Sequence, residues 1–188
     1  MLLLACQPKK PKEEYATFPQ FLKRPQETVT PELFRRAFFL DDEAQKLCSS
    51  EALTEDILKR VKELSSNFPK LDGYLGDWRK GEQLALTPEL YKRLYGKPGG
   101  SKKGLCYACH CADPRVDECG DVGPSLYRYA EKGVKPEELF KRIYNPWAFS
   151  PCSAMPRFGH HGLLTAEEVT HLVAYLLSPE SPVNGGKP

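Results

Sequence analysis

Cys106-Tyr107-Ala108-Cys109-His110 is the stretch from which the fold and the chemistry of this chain are predicted. Two thiols at this spacing lie roughly one helical turn apart, so each can add to a different vinyl group of one porphyrin. The histidine that follows then lies beneath the iron and donates an imidazole nitrogen to it. The motif predicts one covalent haem c, with Cys106 and Cys109 as attachment sites and His110 as an iron ligand.

Two other kinds of site use closely spaced cysteines, and both fit this stretch less well. A thioredoxin-like redox pair belongs at the strand-to-helix junction of a βαβ unit, and no sustained strand alternation occurs in the sequence. A structural zinc ion needs four ligands with a second pair well separated, and the adjacent His110 and Cys111 cannot easily both reach one tetrahedral ion. The haem interpretation is therefore favoured.

The second iron ligand is predicted to be Met155. Methionine occurs only at positions 1 and 155, and Met1 would be lost with a processed leader. Met155 stands before Pro156, whose fixed backbone helps to hold an extended loop against a haem face. A gap-filling core methionine is the alternative, although a polar loop bounded by Pro and Gly is a poor place for one. His/Met ligation raises the haem potential relative to two histidines, which suits an electron acceptor.

Two of the three other histidines, His160 and His161, compete with Met155 as iron ligands. His160 and His161 are expected to face solvent near the haem edge. His171 is off the apolar stripe of the last predicted helix and is expected on the surface or against a partner protein.

Two further residues are candidates for haem binding. The second ring nitrogen of an axial histidine needs an acceptor, and the carbonyl of Pro124, in Gly123-Pro124-Ser125-Leu126, is the candidate. A simple turn explains the same residues equally well. Arg157 could pair with a haem propionate, or it could be a solvated arginine.

Bulk properties limit the class of protein. The chain has 188 residues and a net charge of +2, which allows one domain with an extension and disfavours nucleic-acid binding. No apolar run reaches the length of a membrane-spanning helix. The seven cysteines suggest an oxidising compartment such as the periplasm.

The first residues resemble the end of a lipoprotein signal peptide. Ala5 precedes Cys6, and an apolar stub precedes both, so Cys6 is a candidate lipid anchor. The stub is shorter than an ordinary apolar signal core, so either the start lies upstream or the chain is truncated. A chance apolar start with an ordinary thiol is the alternative.

Three segments are predicted from the sequence: a truncated signal and tether (1–25), an N-terminal helical extension (26–75) and a haem domain (76–188). The class is all-α, because apolar residues recur at helical spacing and no strand pattern appears. Capping and periodicity indicate helices from Thr30, from Thr54, over 76–85, over 87–95, over 136–144 and from Thr165.

These motifs together resemble known haem proteins. From Gly76 to Leu177, the haem motif, the Gly-Pro-x-Leu segment, the Met-Pro loop and the final amphipathic helix resemble a class I cytochrome c domain. A narrower resemblance is to the SoxX family, the monohaem subunit of the SoxAX thiosulfate-oxidising cytochrome. It is carried by Gly120-Asp121-Val122-Gly123-Pro124-Ser125-Leu126, by Ser-Pro-Cys-Ser-x-Met-Pro-Arg-Phe-Gly-His at 150–160, by the Gly76-Asp77-x-x-x-Gly81 opening and by the final Ser-Pro-Glu-Ser-Pro-Val-Asn at 178–184.

The resemblance implies a role and partners. A SoxX-type chain pairs with a SoxA-type haem subunit, which couples thiosulfate oxidatively to a cysteine of a carrier protein. It receives the electrons through a His/Met haem and passes them to a small cytochrome. The extension before Gly76 and an insertion at 87–104 depart from the family pattern, which leaves the subunit composition and docking surface open.

Four cysteines remain once the haem pair and Cys6 are set aside. They are Cys48, Cys111, Cys119 and Cys152, and they allow three disulfide pairings. Pairing of Cys111 with Cys119 and of Cys48 with Cys152 is the preferred expectation. Free thiols are the alternative, including a Cys152 thiolate that reaches the iron.

Several functions are compatible with these residues. A free-standing electron carrier shares the haem domain but needs no stable partner, and a haem sensor would release Met155 to bind a gas. An independent enzyme is least favoured, because no second metal site or acid–base constellation is visible. Trp147, Phe149 and Phe158 could shield the haem, contact a partner or belong to the core.

Overall fold

Six α-helices lie within the part of the chain that the structure describes. The structure is a computed structural model that describes residues 42–87, 90, 105–111, 120 and 122–185. No strand occurs among these residues, which confirms the all-α class. The helices are α1 (Glu43–Cys48), α2 (Glu55–Leu64), α3 (Trp78–Leu86), α4 (Leu105–Cys109), α5 (Pro136–Tyr144) and α6 (Ala166–Leu177), with 3₁₀ turns at Tyr129–Lys132, Pro146–Ala148 and Pro182–Asn184.

Local capping signals fix several of the helix boundaries. The Thr54 side chain accepts a hydrogen bond from the Ile57 N–H and begins α2 where the sequence predicts it. Thr165 and Glu168 form the predicted capping box of α6, each side chain accepting from the other's backbone N–H. Pro136 is the first residue of α5. Such side chains satisfy N–H groups that have no partner within the helix.

The crossing of α3 over α6 organises the part of the chain that begins at Gly76. At Gly81 a Cβ atom would collide with the carbonyl oxygen of His171 and lie 2.8 Å from Cβ of Tyr175. Glycine therefore permits the two helices to approach closely. α3 begins at Trp78, slightly later than the predicted range, because the Asp77 carboxylate caps its first turn.

The expectation that His171 lies on the surface is wrong. Its side chain is buried, and its Nδ1 accepts a hydrogen bond from the Asp77 N–H at 2.9 Å. Residues 169–176 are all buried, so α6 is covered on more than the one side that its apolar stripe indicates. A histidine fits this second face because the start of α3 supplies a donor that needs an acceptor.

The N-terminal extension is joined to the rest of the described chain by a small apolar cluster and a disulfide. The cluster comprises Ala44, Cys48, Val61, Trp147 and Cys152. A disulfide links Cys48 to Cys152 with an S–S distance of 2.01 Å, which confirms that predicted pairing and rules out a free Cys152 thiolate. It closes a loop across a sequence separation of 104 residues.

Some predicted features lie outside the described residues. They are the helix from Thr30, most of the helix over 87–95 and of the insertion at 87–104, Cys6 and Cys119. Leu90 is described and is helical and fully buried. Cys111 is disulfide-bonded, but its predicted partner Cys119 is not described. In the described part of the chain, none of the helices is both long and apolar enough to cross a bilayer.

Candidate functional site

The two cysteines of the Cys-x-x-Cys-His motif lie on the short helix α4. Neither Cys106 nor Cys109 forms a disulfide, and both are partly buried. The helix is held on α6 by its intervening tyrosine, because the hydroxyls of Tyr107 and Tyr175 are hydrogen-bonded at 2.9 Å and both residues are buried. The His110 N–H donates to the Cys106 carbonyl at 2.9 Å and extends the helical turn. The thiols and the histidine are therefore presented from one anchored turn.

The His110 ring is oriented by the segment that follows it. Its Nδ1 lies 2.8 Å from the carbonyl oxygen of Pro124, the contact expected from the sequence. A carbonyl oxygen only accepts, so Nδ1 carries the proton and Nε2 keeps its lone pair. Burial lowers the pKa of His110, the hydrogen bond to Pro124 opposes this, and the charge of Lys132 adds to the lowering. The imidazole is thus held neutral, with the lone pair of Nε2 available.

Gly123 is a site residue whose individual role the sequence did not reveal. Its N–H donates to the Cys109 carbonyl at 2.8 Å, and a Cβ atom there would collide with the His110 ring. Only a residue without a side chain allows this backbone to lie against the imidazole. The sequence signal was the Gly-Pro pair, which by itself also fits a simple turn.

The electrostatics of the two thiols disfavour a redox pair. Burial raises the pKa of Cys106 to about 12, with the neighbouring Cys109 adding to the effect, and burial raises the pKa of Cys109 to about 11. Reactive thioredoxin-type cysteines have lowered pKa values and follow a strand, and no strand occurs in the described residues. Cys111 is disulfide-bonded and cannot supply a thiolate to zinc.

The donor set fits a covalently bound haem. Two free thiols lie on one helical turn, and the adjacent imidazole has its Nδ1 engaged and its Nε2 available. The second nitrogen of an axial histidine is ordinarily held in this way by a carbonyl. These residues match what a c-type haem requires of a protein at its histidine side.

Met155 lies in an irregular loop between the Pro146–Ala148 turn and α6. We call residues 149–164 the Met155 loop; none of them is helical or in a strand. A second apolar core cluster includes Phe140, Leu172 and Val173. Met155 is partly buried and packs against this cluster, as Cys106 does. Phe158 of the same loop is buried in that cluster, and Phe149 lies beneath the Arg142 guanidinium at 4.6 Å.

Arg157 is not solvated, and its partner is a protein carboxylate. Its side chain is 1% exposed, and Nη1 donates to Oδ2 of Asp42 at 2.7 Å. The guanidinium lies over the Trp147 ring at 4.6 Å, and the indole N–H of Trp147 donates to the Ser153 carbonyl at 2.9 Å. Trp147 is thus a core residue. The pair with Asp42 and the stack on Trp147 explain the burial of Arg157.

The His160 side chain is 30% exposed, as expected in part, whereas both ring nitrogens of His161 are buried, contrary to expectation. Both are partly buried, their ring centroids lie 5.4 Å apart, and Nε2 of His160 donates to Oδ2 of Asp42 at 3.1 Å. The ligand atoms of Asp42, His160 and His161 fall within 4.8 Å of one another, a spacing compatible with a metal ion. The Arg157 cation already contacts the same carboxylate oxygen, however, and disfavours a second positive charge there. We therefore interpret this group as an ion-pair network.

A comparison with known proteins places the chain in a family. It is 47% identical to an uncharacterized lipoprotein of Aquifex aeolicus (strain VF5) over 191 aligned positions, which cover 97% of this chain and 93% of the relative. The chain belongs to the family of this lipoprotein. No protein-family model matches the sequence. Because the alignment covers 97% of the chain, the N-terminal extension is part of what the family shares and not an addition to this member.

Proposed function

We propose that the chain is an electron-transfer protein with one covalent haem c, attached at Cys106 and Cys109 and ligated by His110 and Met155. The single observation that carries the proposal is the arrangement of two free thiols on one anchored helical turn beside an imidazole whose Nδ1 is fixed by the Pro124 carbonyl. When bound, the haem iron supplies a one-electron couple. Residues 76–188 would form a class I cytochrome c domain.

The protein's own contribution is to fix the imidazole and shape its surroundings. The Pro124 carbonyl holds the His110 proton on Nδ1 and increases the electron density at Nε2, which strengthens it as a donor. Lys132 donates to the Ser125 carbonyl at 2.9 Å, and its positive charge acts on His110. A nearby cation favours the reduced form of an iron centre, in keeping with the role of an electron acceptor.

We further propose that the chain acts as a SoxX-type subunit. The sequence resemblance over 120–126 and 150–160 supports this role, in which electrons come from a SoxA-type haem subunit that joins thiosulfate to a carrier-protein cysteine. The electrons would leave to a small cytochrome. A free-standing carrier is the alternative, because it needs the same haem domain and no stable partner.

An exported, lipid-anchored location is part of the proposal. A relative that shares nearly the whole chain is a lipoprotein, and Ala5-Cys6 provides the acceptor thiol in this sequence. The Cys48–Cys152 disulfide supports an oxidising compartment such as the periplasm. Replacing Cys6 by Ser in the full-length native precursor should move the haem protein from the membrane to the soluble fraction. Retention in the membrane would contradict the anchor.

Purification from native membranes tests the role. A haem-stained denaturing gel and thiosulfate-dependent cytochrome reduction should reveal a second haem chain that copurifies with this one and carries the activity. A lone haem band without thiosulfate activity would contradict the SoxX-type role and leave the free-standing carrier. Absence of haem from this chain would overturn the electron-transfer proposal itself.

A further inference from the structure

We infer that the start of the described extension, Asp42 with α1, is a positioning element that holds the Met155 loop for iron ligation. The inference rests on the proposed function, in which Met155 is an axial ligand. Two contacts join the extension to the chain on either side of Met155. Cys152, three residues before it, is bonded to Cys48, and Arg157, two residues after it, is paired with Asp42.

The two partners lie at opposite ends of one short helix. Asp42 is the N-cap of α1, where its Oδ1 accepts from the Gln45 N–H at 2.8 Å, and Cys48 is the last residue of α1. The helix spans about 9 Å at 1.5 Å per residue. One end of α1 is joined to Cys152 by the disulfide, and the other is joined to Arg157 by the ion pair. α1 therefore lies along the segment that carries Met155 and restricts its movement.

The disulfide is fully buried, and the ion pair is buried on its Arg157 side. Cys48 and Cys152 are 0% exposed and Arg157 is 1% exposed, whereas the Asp42 side chain is 30% exposed. The guanidinium is also stacked on Trp147, which restricts its geometry more than an exposed pair that exchanges with water. Full burial also places the disulfide beyond the reach of a soluble reductant. The bond therefore serves as a fixed brace and not as a thiol switch.

The backbone of the Met155 loop needs such a brace. Cys152 has a left-handed backbone conformation, with φ of 59°, which is unfavourable for a residue with a side chain. The rest of the loop has no helix or strand to order it. A thioether is a neutral, weak ligand, so the fraction of time that the loop spends in the ligating conformation directly scales its apparent affinity for iron. Restricting the loop at both sides of Met155 raises that fraction.

Two variants of the full-length haem protein test the inference. Asp42→Asn removes the charge that pairs with Arg157, and the double variant Cys48→Ser with Cys152→Ser removes the brace without leaving a lone thiol. The control is Glu43→Gln, also in α1, which removes an exposed ion pair between Glu43 and Arg60 of α2. The readouts are the methionine-to-ferric-iron charge-transfer band, the affinity for added imidazole and peroxide oxidation of Met155 followed by mass spectrometry.

We expect imidazole to bind about tenfold more tightly to Asp42→Asn and to the double variant than to the unchanged protein. Their charge-transfer band should also melt below the temperature at which the helices unfold, and Met155 should oxidise faster. Glu43→Gln should behave as the unchanged protein does. The inference would be overturned if both variants were less stable but bound imidazole, and lost the band on heating, as the unchanged protein does. The two contacts would then serve stability alone.

The inference and the proposed function can fail separately. Absence of the charge-transfer band from the unchanged protein would mean that Met155 is not a ligand, which rejects the inference and that ligand assignment and leaves the covalent haem to be tested by mass. A normal band in the unchanged protein together with unaltered ligation in both variants would retain the haem proposal and reject the positioning role alone.

Discussion

The Nδ1 atom of His110 lies 2.8 Å from the carbonyl oxygen of Pro124, with Gly123 pressed against the same imidazole ring. This relationship turns a sequence motif into a structured site. A histidine beside two cysteines could point in any direction, whereas this one has a fixed tautomer and a fixed ring plane. The account of function depends on that arrangement more than on any other contact in the described residues.

Replacing Gly123 by Ala should disturb the His110 ring, because the added methyl group would overlap it. We expect a loss of about 1–3 kcal/mol in the free energy of unfolding, as for other overpacked sites. The measurement is chemical denaturation of the purified protein. Gly73→Ala is the matched control, since no atom lies within 4 Å of a Cβ at that position, and it should change the stability by less than about 0.5 kcal/mol. Equal stability of the two variants would contradict the close contact.

Removing the Cys48–Cys152 disulfide should lower the free energy of unfolding by about 4 kcal/mol, because the bond closes a long loop in the unfolded chain. The double Ser variant is compared with the unchanged protein in denaturant titrations without reductant. A loss below about 1 kcal/mol would mean that the extension is held by packing alone.

Replacing Arg157 by Met should cost about 3 kcal/mol, because it leaves the partly buried Asp42 carboxylate without its cation and removes the stack on Trp147. Arg142→Met provides the matched control, since Arg142 pairs with Glu138 at a half-exposed position. That pair should contribute less than about 1 kcal/mol. Thermal and chemical unfolding of both variants checks the difference, and similar losses would contradict the buried role of Arg157.

Acid should weaken the fold through His161. Burial lowers the pKa of His161 from 6.5 to about 4, and the charges of Arg157 and His160 add to the lowering while Asp42 opposes it. Between pH 6.5 and about 4, His161 therefore binds a proton in the unfolded chain but not in the folded chain. The free energy of unfolding should fall as the pH drops from 6.5 to about 4, with a slope of at most about 1.4 kcal/mol per pH unit from this group.

Denaturant titrations across this range, repeated with His161→Gln, measure the contribution. The variant should show a shallower pH dependence than the unchanged protein. The contribution of Asp42 can be separated from that of His161. Because the pKa of Asp42 is lowered in the folded chain, its protonation weakens the fold only below its ordinary pKa of 3.8. An unchanged slope in His161→Gln would contradict the burial of this imidazole.

Local signals in the sequence predicted local structure well. The capping box of Thr165 and Glu168 and the start of α2 at Thr54 are where the side chains indicated, because a helix end is decided by residues within one turn. The contact between His110 and Pro124 was also predictable, since the separation is short and a ligand histidine needs an acceptor.

Long-range partners of polar residues could not be predicted in the same way. Arg157 and Asp42 are 115 positions apart, and nothing in either neighbourhood indicates the other. The burial of His171 likewise depends on the start of α3, 94 positions earlier. Cys48–Cys152 could be named only as one of three pairings, because spacing limits disulfides but does not select among them. α1 was missed because its six residues are too few for a clear periodic pattern.

The most direct test of the central claim is the intact mass and absorption spectrum of the protein produced in cells that attach haem to exported proteins. The account predicts one covalent haem per chain, a methionine-to-iron charge-transfer band in the oxidised protein, and loss of that band with retention of the haem in Met155→Ala. A folded chain with no added haem mass and two unmodified thiols at Cys106 and Cys109 would contradict it.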